Sequence, residues 1–245
     1  MARRWRAWHA QGGPPGSDVA LSHDEAHHVL RVLRLRAGEP LSVFDGKGRE
    51  WEGTIVRAES GEVVVRLEEE MTDAVEPALP VTLVQGLSRP ERLEWVLEKA
   101  TEVGVRAIAL AACARSEGPV PSPARLARWR RVLLESCKQS GRRRIPDLFG
   151  PLSVGDAAAL GTGTRIVLVP GAPSLTDVVR GRPEALALAV GPEGGFSEEE
   201  VDGLKVAGWS AASLGPRILR TETAGPVAAA LVLHRWGDLG SRKPE

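Results

Sequence analysis

The feature that most constrains this fold is a regular alternation of apolar runs and amphipathic segments that begins after residue 80. The runs contain almost no polar residues, and they are VTLVQGL (81–87), VRAIALAA (105–112), RIVLV (165–169) and ALALAV (185–190). Strands that are apolar on both faces are typical of a parallel sheet covered by helices on each side. We therefore predict an α/β domain with a parallel sheet over residues 80–245.

Helical patterns separate the strands of this domain. Long helices are predicted at 89–104, 122–140, 197–208 and 221–236, with a short helix at 174–181. A short strand is expected to end at 212–215. Ser197 and Glu200 have the spacing of a capping box, which marks a helix start.

The first part of the chain has a different pattern, with short alternating strands. LSVFD (41–45) and REWEGTIVRAE (49–59) flank a Gly-Lys-Gly turn and predict a hairpin, and EVVVRLEEE (62–70) predicts another strand. The segment between Ser22 and Leu35 predicts a helix that begins with a capping box of Ser22 and Glu25. We predict a small β-barrel over residues 1–72 and a linker over 73–79.

Basic residues are clustered although the formal net charge of the chain is zero. Any binding of a polyanion must therefore depend on local patches. The segment 122–146 carries eight basic residues and one acid, which fits either a solvated helix face or an RNA-binding surface. The residues that we predict to contact RNA are Arg3, Arg4, Arg6, Arg31, Arg34, Arg36, Lys138, Gln139, Arg142, Arg143 and Arg144.

Other features bound the class of protein. The apolar runs are too short to span a membrane, and the N-terminus lacks the apolar region of a signal peptide. Cys113 and Cys137 are not spaced as a CxxC pair and are expected to be buried thiols in a reducing cytoplasm. His23 and His27 lie four residues apart but lack the context of a metal motif, so we predict no metal site.

Three turns that follow predicted strands are rich in Gly and Pro: VPGAP (169–173), VGPEGGF (190–196) and LGPRILRTETA (214–224). In a parallel sheet such turns lie on the same side, where ligands bind. No P-loop and no GxGxxG fingerprint is present. Backbone groups in such turns can bind an adenine edge and a ribose, and the carboxylate of Glu193 disfavours phosphate. The pattern indicates a neutral or cationic nucleoside.

The paired motifs VGPEGGFSEEE and LGPRILRTETA resemble those of the RsmE family of 16S rRNA uridine-N3 methyltransferases, in the SPOUT superfamily. EKATEVGV (98–105), ARS (114–116) and ESCKQSGRRRIP (135–146) occur in the order typical of that family. HHVLRVLRLRAGE (27–39) and FDGKGREWEGTI (44–55) are similar to its N-terminal part. The resemblance covers nearly the whole chain.

This resemblance implies an N-terminal PUA-like β-barrel and a C-terminal SPOUT domain with a trefoil knot. It also implies S-adenosylmethionine as cofactor, and a homodimer in which the partner completes the active site. The methyl acceptor would be a uridine near the 3′ end of 16S rRNA, in the decoding region of the small ribosomal subunit.

The resemblance assigns site residues to the three turns. The residues expected to bind the cofactor are Val169, Pro170, Gly171, Val190, Gly191, Glu193, Gly194, Leu214, Gly215, Ile218, Leu219 and Thr223. The residues expected to act in catalysis are Arg217, Arg220 and Glu222.

Several roles stay open at the level of sequence. We expect Arg220 to stabilise negative charge on the uracil, and Glu222 to orient an arginine or relay the proton, although a carboxylate at a helix N-terminus is favoured by the helix dipole alone. Glu193 either compensates the sulfonium charge or locks its turn by accepting backbone N–H groups. Two other functions fit less well: an RNA-binding dimer without activity, and a related methyltransferase with another RNA acceptor.

Overall fold

The computed structural model describes residues 5–240, and these form two compact units. The N-terminal unit contains residues 5–76 together with 137–145. The C-terminal unit contains residues 77–136 and 146–240. The segment 73–79, predicted as a linker, contains no helix or strand. Arg3 and Arg4, predicted to contact RNA, lie outside the described residues.

The N-terminal unit is built on a five-stranded sheet in the order β1-β3-β4-β5-β2. Its strands are β1 (Arg6–Trp8), β2 (Asp18–Ala20), β3 (Ser42–Phe44), β4 (Glu50–Glu59) and β5 (Glu62–Glu70). The predicted hairpin is confirmed, since β3 and β4 are antiparallel, and β5 continues the meander. Strand β2 was not predicted, because its three residues do not belong to a longer alternating segment.

The predicted helix of this unit is present but divided. Helix α1 (His23–His27) passes directly into a π-helical segment, His28–Leu33, which ends at Arg34 in a left-handed conformation (φ 59°). Half of the predicted capping box forms, since Ser22 Oγ accepts a hydrogen bond from the Glu25 amide. The Glu25 carboxylate turns elsewhere and accepts hydrogen bonds from the Trp8 amide and from Lys138. Tertiary partners therefore replace the second local hydrogen bond.

A buried carboxylate shared by two arginines lies in the interior of the N-terminal unit. Glu50 accepts hydrogen bonds from Arg6 Nε at 2.8 Å, Arg6 Nη2 at 3.1 Å, Arg143 Nε at 3.0 Å and Ser42 Oγ at 2.8 Å. Arg6 also donates to the Cys137 carbonyl at 2.6 Å. Burial raises the pKa of Glu50, but the bonds from Arg6, Ser42 and Arg143 outweigh it and hold this pKa below its ordinary value. The charge is retained because every oxygen is paired.

This network corrects part of the predicted RNA surface. Arg142 and Arg143 are each only 4% exposed, and they pair with Glu76 and with Glu50 and Asp73. The side chains of Arg6 and Lys138 are likewise buried against Glu50 and Glu25. Buried guanidinium and ammonium groups that already have carboxylate partners are not available to phosphates. These four residues stabilise the unit. Their acidic partners lie far away in sequence, so the basic cluster gave no sign of these ion pairs.

The C-terminal unit contains a six-stranded parallel sheet in the order β11-β9-β10-β6-β7-β8. Its strands are β6 (Val81–Gly86), β7 (Ala107–Ala112), β8 (Asp147–Ser153), β9 (Thr164–Leu168), β10 (Leu186–Val190) and β11 (Ser210–Ala212). Its helices are α2 (Pro90–Val103), α3 (Pro123–Ser140), α4 (Val154–Ala159), α5 (Leu175–Val178), α6 (Glu198–Val206) and α7 (Thr221–Trp236). The last turn of α3 belongs to the N-terminal unit. The predicted parallel sheet is confirmed.

Local signals located most elements of this unit correctly. Helix α2 begins with Pro90 at its first position and ends at Gly104 in a left-handed conformation (φ 110°). The capping box of Ser197 and Glu200 is fully formed at the start of α6. Strand β8 and helix α4 were missed. The sequence of β8 contains Gly150 and Pro151, which proteins tolerate at a sheet edge, where β8 lies.

The surroundings of the two cysteines make their thiols unreactive. Burial raises the pKa of both the Cys113 and the Cys137 thiol to about 12. Thiols of such high pKa carry almost no thiolate at neutral pH. No helix within residues 5–240 is long and apolar enough to cross a membrane. Within the same range, no group of His, Cys, Asp and Glu side chains is arranged to hold a metal ion.

The Glu50 network predicts acid lability of the N-terminal unit. A carboxyl group whose pKa is lowered on folding contributes stability above its unfolded pKa and loses it as the pH falls through the folded value. We expect the free energy of unfolding to decrease below a pH of about 4.5, the ordinary value for glutamate. Glu50→Gln removes the carboxylate partner of Arg6 and leaves Arg143 paired with Asp73 alone, and it should cost about 3–5 kcal/mol at pH 7. Urea unfolding followed by circular dichroism, at pH 7 and at a pH below about 4.5, measures the free energy of unfolding.

Glu70→Gln is the matched control, because Glu70 also binds an arginine but at an exposed position of the same sheet. An exposed ion pair contributes at most about 1 kcal/mol. Equal destabilisation by the two substitutions would contradict the role assigned to Glu50.

Candidate active site

The three glycine-rich turns follow three adjacent strands of the parallel sheet. Strand β9 lies between β10 and β11 and pairs with both in parallel. The carboxyl ends of all three strands therefore lie at one edge of the sheet, as the sequence predicts. The turn after β9 is tied to the end of β11, since the Val169 amide donates to Ala212 O at 2.8 Å and Ser213 Oγ donates to Ala172 O at 2.7 Å.

The turn after β10 needs glycine because backbone segments approach closely. A Cβ built on Gly191 would lie 2.6 Å from the Phe196 amide nitrogen. A Cβ on Gly86, at the end of β6, would lie 2.5 Å from the nitrogen of Pro192. Gly194 packs on Arg115, whose Nη1 donates to the carbonyls of Gly194 and Phe196 at 3.2 and 3.3 Å. These contacts fix the turn from both sides.

A buried chain of hydrogen bonds joins this turn to the start of α7. Gln85 Nε2 donates to Thr221 Oγ1 at 2.9 Å, and the Thr221 hydroxyl donates to Gly191 O at 2.7 Å. Gln85 is fully buried in β6. Its one local signal is that it is a polar residue within an otherwise apolar strand. Neither Gln85 nor Thr221 was among the predicted site residues.

The predicted carboxylates lie on either side of an arginine that was not among the predicted site residues. Arg92, in the first turn of α2, places Nη1 3.2 Å from Glu193 Oε1 and Nε 3.9 Å from Glu222 Oε2. The Arg89 amide also donates to Glu193 Oε1 at 3.3 Å. Glu193 and Glu222 side chains are only 12% and 15% exposed. Among the described residues, neither Glu193 Oε2 nor Glu222 Oε2 has a hydrogen-bond partner.

The turn after β11 is the most open of the three. Arg217 is exposed and Ile218 is 83% exposed, while Leu214 and Leu219 are half-buried. Arg220 caps α7 with its backbone, since its carbonyl accepts from the amides of Thr223 and Ala224, both at 2.9 Å. Its side chain is 78% exposed and lies 4.0 Å from Glu222. The backbone of Arg220 is thus fixed while its guanidinium is free to reach a ligand.

The other residues that the sequence predicts to bind the cofactor also belong to these turns. Gly171 and Gly215 both have positive φ, 80° and 106°, and a side chain at either would meet no atom within 4 Å. Pro170 is exposed, Val169 and Thr223 are half-buried, and Val190 ends β10 inside the core. Glycine at Gly171 and Gly215 serves the backbone conformation and leaves the turn surface bare.

Comparison with known proteins identifies both parts of the chain. Residues 75–233 match the RNA methyltransferase domain family, and residues 21–68 match the RNA methyltransferase PUA domain family. The chain is 35% identical to ribosomal RNA small subunit methyltransferase E of Mycobacterium bovis, with 90% of this chain and 89% of that protein covered. It is 31% identical to the protein of the same name from Synechocystis, with 87% and 72% covered.

Comparison with solved structures gives the same result as comparison with these sequences. Ribosomal RNA small subunit methyltransferase E from Neisseria gonorrhoeae, bound to S-adenosylmethionine, superposes with a TM-score of 0.91 at 33% identity, covering 96% of this chain and 99% of that one. A Legionella pneumophila protein in complex with the same cofactor gives a TM-score of 0.91 at 32% identity, covering 97% and 100%. The two-part fold, the paired motifs and these matches together show that the chain belongs to the ribosomal RNA small subunit methyltransferase E family.

Proposed function

We propose that this protein transfers a methyl group from S-adenosylmethionine to N3 of a uridine near the 3′ end of 16S rRNA, in the small ribosomal subunit. The activity and cofactor follow from the family and from the relative that binds this cofactor. One observation carries the assignment to a place in this chain: a half-buried carboxylate, Glu222, lies beside an exposed arginine, Arg220, at the sheet edge where the three glycine-rich turns meet.

The residues at this edge suit a sulfonium nucleoside. The bare surfaces at Gly171 and Gly215 leave backbone groups accessible to an adenine and a ribose. Glu193 directs one carboxylate oxygen to Arg92 and the Arg89 amide, so its turn-locking role is supported. Its other oxygen, buried and without a partner among the described residues, suits a donor or positive charge on a ligand. Both roles left open by the sequence are thus compatible.

The reacting groups of the chain would act on the uracil ring. When bound, S-adenosylmethionine supplies an electrophilic methyl group on a positively charged sulfur. The imide N–H of uracil is a weak acid, so the chain must stabilise its anion and accept its proton. Arg220, whose side chain is exposed, is placed to donate to a uracil carbonyl oxygen. Glu222 Oε2 has the acceptor capacity to hold the proton. Arg217, nearby and exposed, would contact RNA phosphate or base.

The RNA-binding surface that we retain from the sequence prediction is smaller than the predicted one. Arg31, Arg34 and Arg36 are exposed, and no carboxylate among residues 5–240 lies within ion-pair distance of their guanidinium groups. Arg31 lies on the π-helical segment, and Arg34 directly follows it. Gln139 is exposed, and Arg144 is half-buried with Nη1 donating to Lys47 O at 3.1 Å. We propose the three arginines as the principal phosphate contacts.

The assembly and organisation predicted by the resemblance form part of this proposal. We place an RNA-binding PUA-like domain at 1–72, a linker at 73–79 and a knotted SPOUT domain at 80–245. A homodimer is supported by Ile218, an apolar side chain that is almost fully exposed in the turn after β11. A protein that modifies ribosomal RNA would act in the cytoplasm.

The function is tested by methyl transfer to small ribosomal subunits from a strain that lacks this modification. With labelled S-adenosylmethionine, we expect one methyl group per subunit, mapped by mass spectrometry of nuclease digests to N3 of one uridine near the 3′ end. Free 16S rRNA serves as a parallel substrate. Calorimetry with the cofactor alone accompanies the assay.

The alternatives give different results. Label on a ribose 2′ oxygen or on a guanosine would identify another acceptor for the same cofactor site. An RNA-binding dimer without activity would bind subunits and show no heat of binding with S-adenosylmethionine.

Arg220→Ala tests the charge-stabilising role. We expect kcat to fall by about 100- to 1,000-fold, as for loss of a donor to a developing anion. The dissociation constant of S-adenosylmethionine and the affinity for the subunit should change little, because the Arg220 side chain is exposed and its backbone cap persists. Lys205→Ala, which removes a surface cation of α6, is the control. Normal kcat in Arg220→Ala would refute the role.

The proposed phosphate contacts predict a change in salt dependence. Replacing Arg31, Arg34 and Arg36 by Gln should lower the slope of log Kd against log salt by about 2, because fewer counterions are released. Binding to an RNA fragment from the 16S 3′ end, measured between 50 and 300 mM KCl (roughly the range in which such slopes are read), tests this.

A control with the same change in net charge replaces three exposed arginines that already have acidic partners. These are Arg49, Arg57 and Arg66, which pair with Glu70, Glu62 and Asp18. An equal loss of slope in both variants would show that net charge, and not the Arg31–Arg36 surface, determines binding.

A further inference from the structure

Arg92 is the only basic side chain among residues 5–240 that forms ion pairs with both carboxylates of the candidate site. It comes from α2, Glu193 from the turn after β10, and Glu222 from the first turn of α7. The guanidinium, with several N–H donors in one plane, can serve two acceptors at once. Its side chain is 32% exposed, so the cluster lies at the border of solvent and interior.

Glu193 and its turn do not depend on Arg92 alone. The Arg89 amide donates to the same Glu193 oxygen. The turn is also held by Arg115 at Gly194 and Phe196 and by the Thr221 hydroxyl at Gly191 O. Loss of the Arg92 side chain leaves all of these bonds in place. Binding of a nucleoside by the backbone of this turn should therefore survive such a loss.

Glu222 has fewer partners. The cations within ion-pair distance of it in the described chain are Arg92, at 3.9 Å, and Arg220, at 4.0 Å. Arg220 is largely exposed, and the proposed function directs it to the uracil. Once Arg220 turns to its substrate, Arg92 is the cation that holds the Glu222 carboxylate in place.

We propose that Arg92 is a positioning residue for methyl transfer, which holds the Glu222 carboxylate against the turn after β10 so that it can accept the proton of the methyl acceptor. This inference rests on the proposed function. It assigns a task to a side chain of α2 that contacts neither reacting atom. It also divides the work of the two carboxylates: Glu193 is anchored mainly by its own turn, and Glu222 by Arg92.

The test compares Arg92→Gln, Arg92→Lys and the unaltered protein. In Arg92→Gln we expect kcat to fall by about 10- to 100-fold, the range associated with a misplacement of about 1 Å. The dissociation constant of S-adenosylmethionine, from calorimetry, should stay within about threefold. Arg92→Lys keeps the charge but not the planar guanidinium, and its kcat should lie between those of Arg92→Gln and the unaltered protein. Loss of cofactor binding with unchanged kcat at saturation would overturn the proposal.

Lys99→Gln is the matched control on the same helix. Lys99 also lies between two carboxylates, with Nζ 2.7 Å from Glu98 Oε1 and 2.9 Å from Glu102 Oε1. Its ion pairs in the described chain stay within α2 and do not reach the three turns, and its removal changes the charge of α2 by the same amount. We expect its kcat to equal that of the unaltered protein. A similar decrease in both variants would show a general effect of helix charge and would overturn the proposal.

A second comparison identifies the route of the effect. If Arg92 acts through Glu222, Arg92→Gln should lower kcat no further in a Glu222→Gln background, because residues that act as a unit are not additive. Independent, multiplying effects of the two substitutions would mean that Arg92 acts on something else.

Hydrogen exchange separates failure of this inference from failure of the proposed function. Without any RNA, the amides of Thr223 and Ala224 in the first turn of α7 should exchange faster in Arg92→Gln and at the normal rate in Lys99→Gln. If the unaltered protein methylates no RNA, the proposed function fails, yet exchange still reports on positioning. If it methylates RNA and Arg92→Gln changes neither kcat nor exchange, Arg92 has no positioning role.

Discussion

The hydrogen-bond chain from Gln85 through Thr221 to Gly191 is the interaction on which the candidate site depends. It links the strand β6, the turn after β10 and the first turn of α7 inside the core. Removal of one member would leave the bonded group of its neighbour unpaired at this depth, which would cost about 1–3 kcal/mol. Because the chain fixes the start of α7, it also fixes the backbone of Arg220 and Glu222. The chemistry proposed for these two residues follows from that fixed start.

Two arrangements of arginines and carboxylates show how pairing separates structural from functional groups. In the N-terminal unit, Glu50 is shared by Arg6 and Arg143 and both of its oxygens accept hydrogen bonds. In the C-terminal unit, Arg92 is shared by Glu193 and Glu222, and one oxygen of each carboxylate has no hydrogen-bond partner among residues 5–240. A saturated network stabilises a fold, whereas an unsaturated carboxylate retains the capacity to bind a proton or a ligand.

Sequence reasoning was accurate where the determining interactions are local. The boundaries of β4, β5, α2 and α7 agree with the predictions to within about two residues, the usual uncertainty of element ends. The three turns could be located because glycine and proline have strong local preferences. The order of β9, β10 and β11 then brought them to one edge. The π-helical segment at His28–Leu33 could not be predicted, since its apolar spacing resembles that of an ordinary helix.

Local sequence patterns were enough to infer the alternation of strands and helices, the glycine-rich turns and the family resemblance that they carry. Which charged residues are available depends on contacts that form only when the chain folds. Arg6, Arg142 and Arg143 look like an RNA surface in sequence, yet their partners lie far along the chain, as with Arg143 and Glu50, 93 residues apart. Arg92 carries no local signal, and its partners lie about 100 or more residues away. Ion pairs depend on distance in space, so pairs between distant residues can be identified only when the folded structure is known.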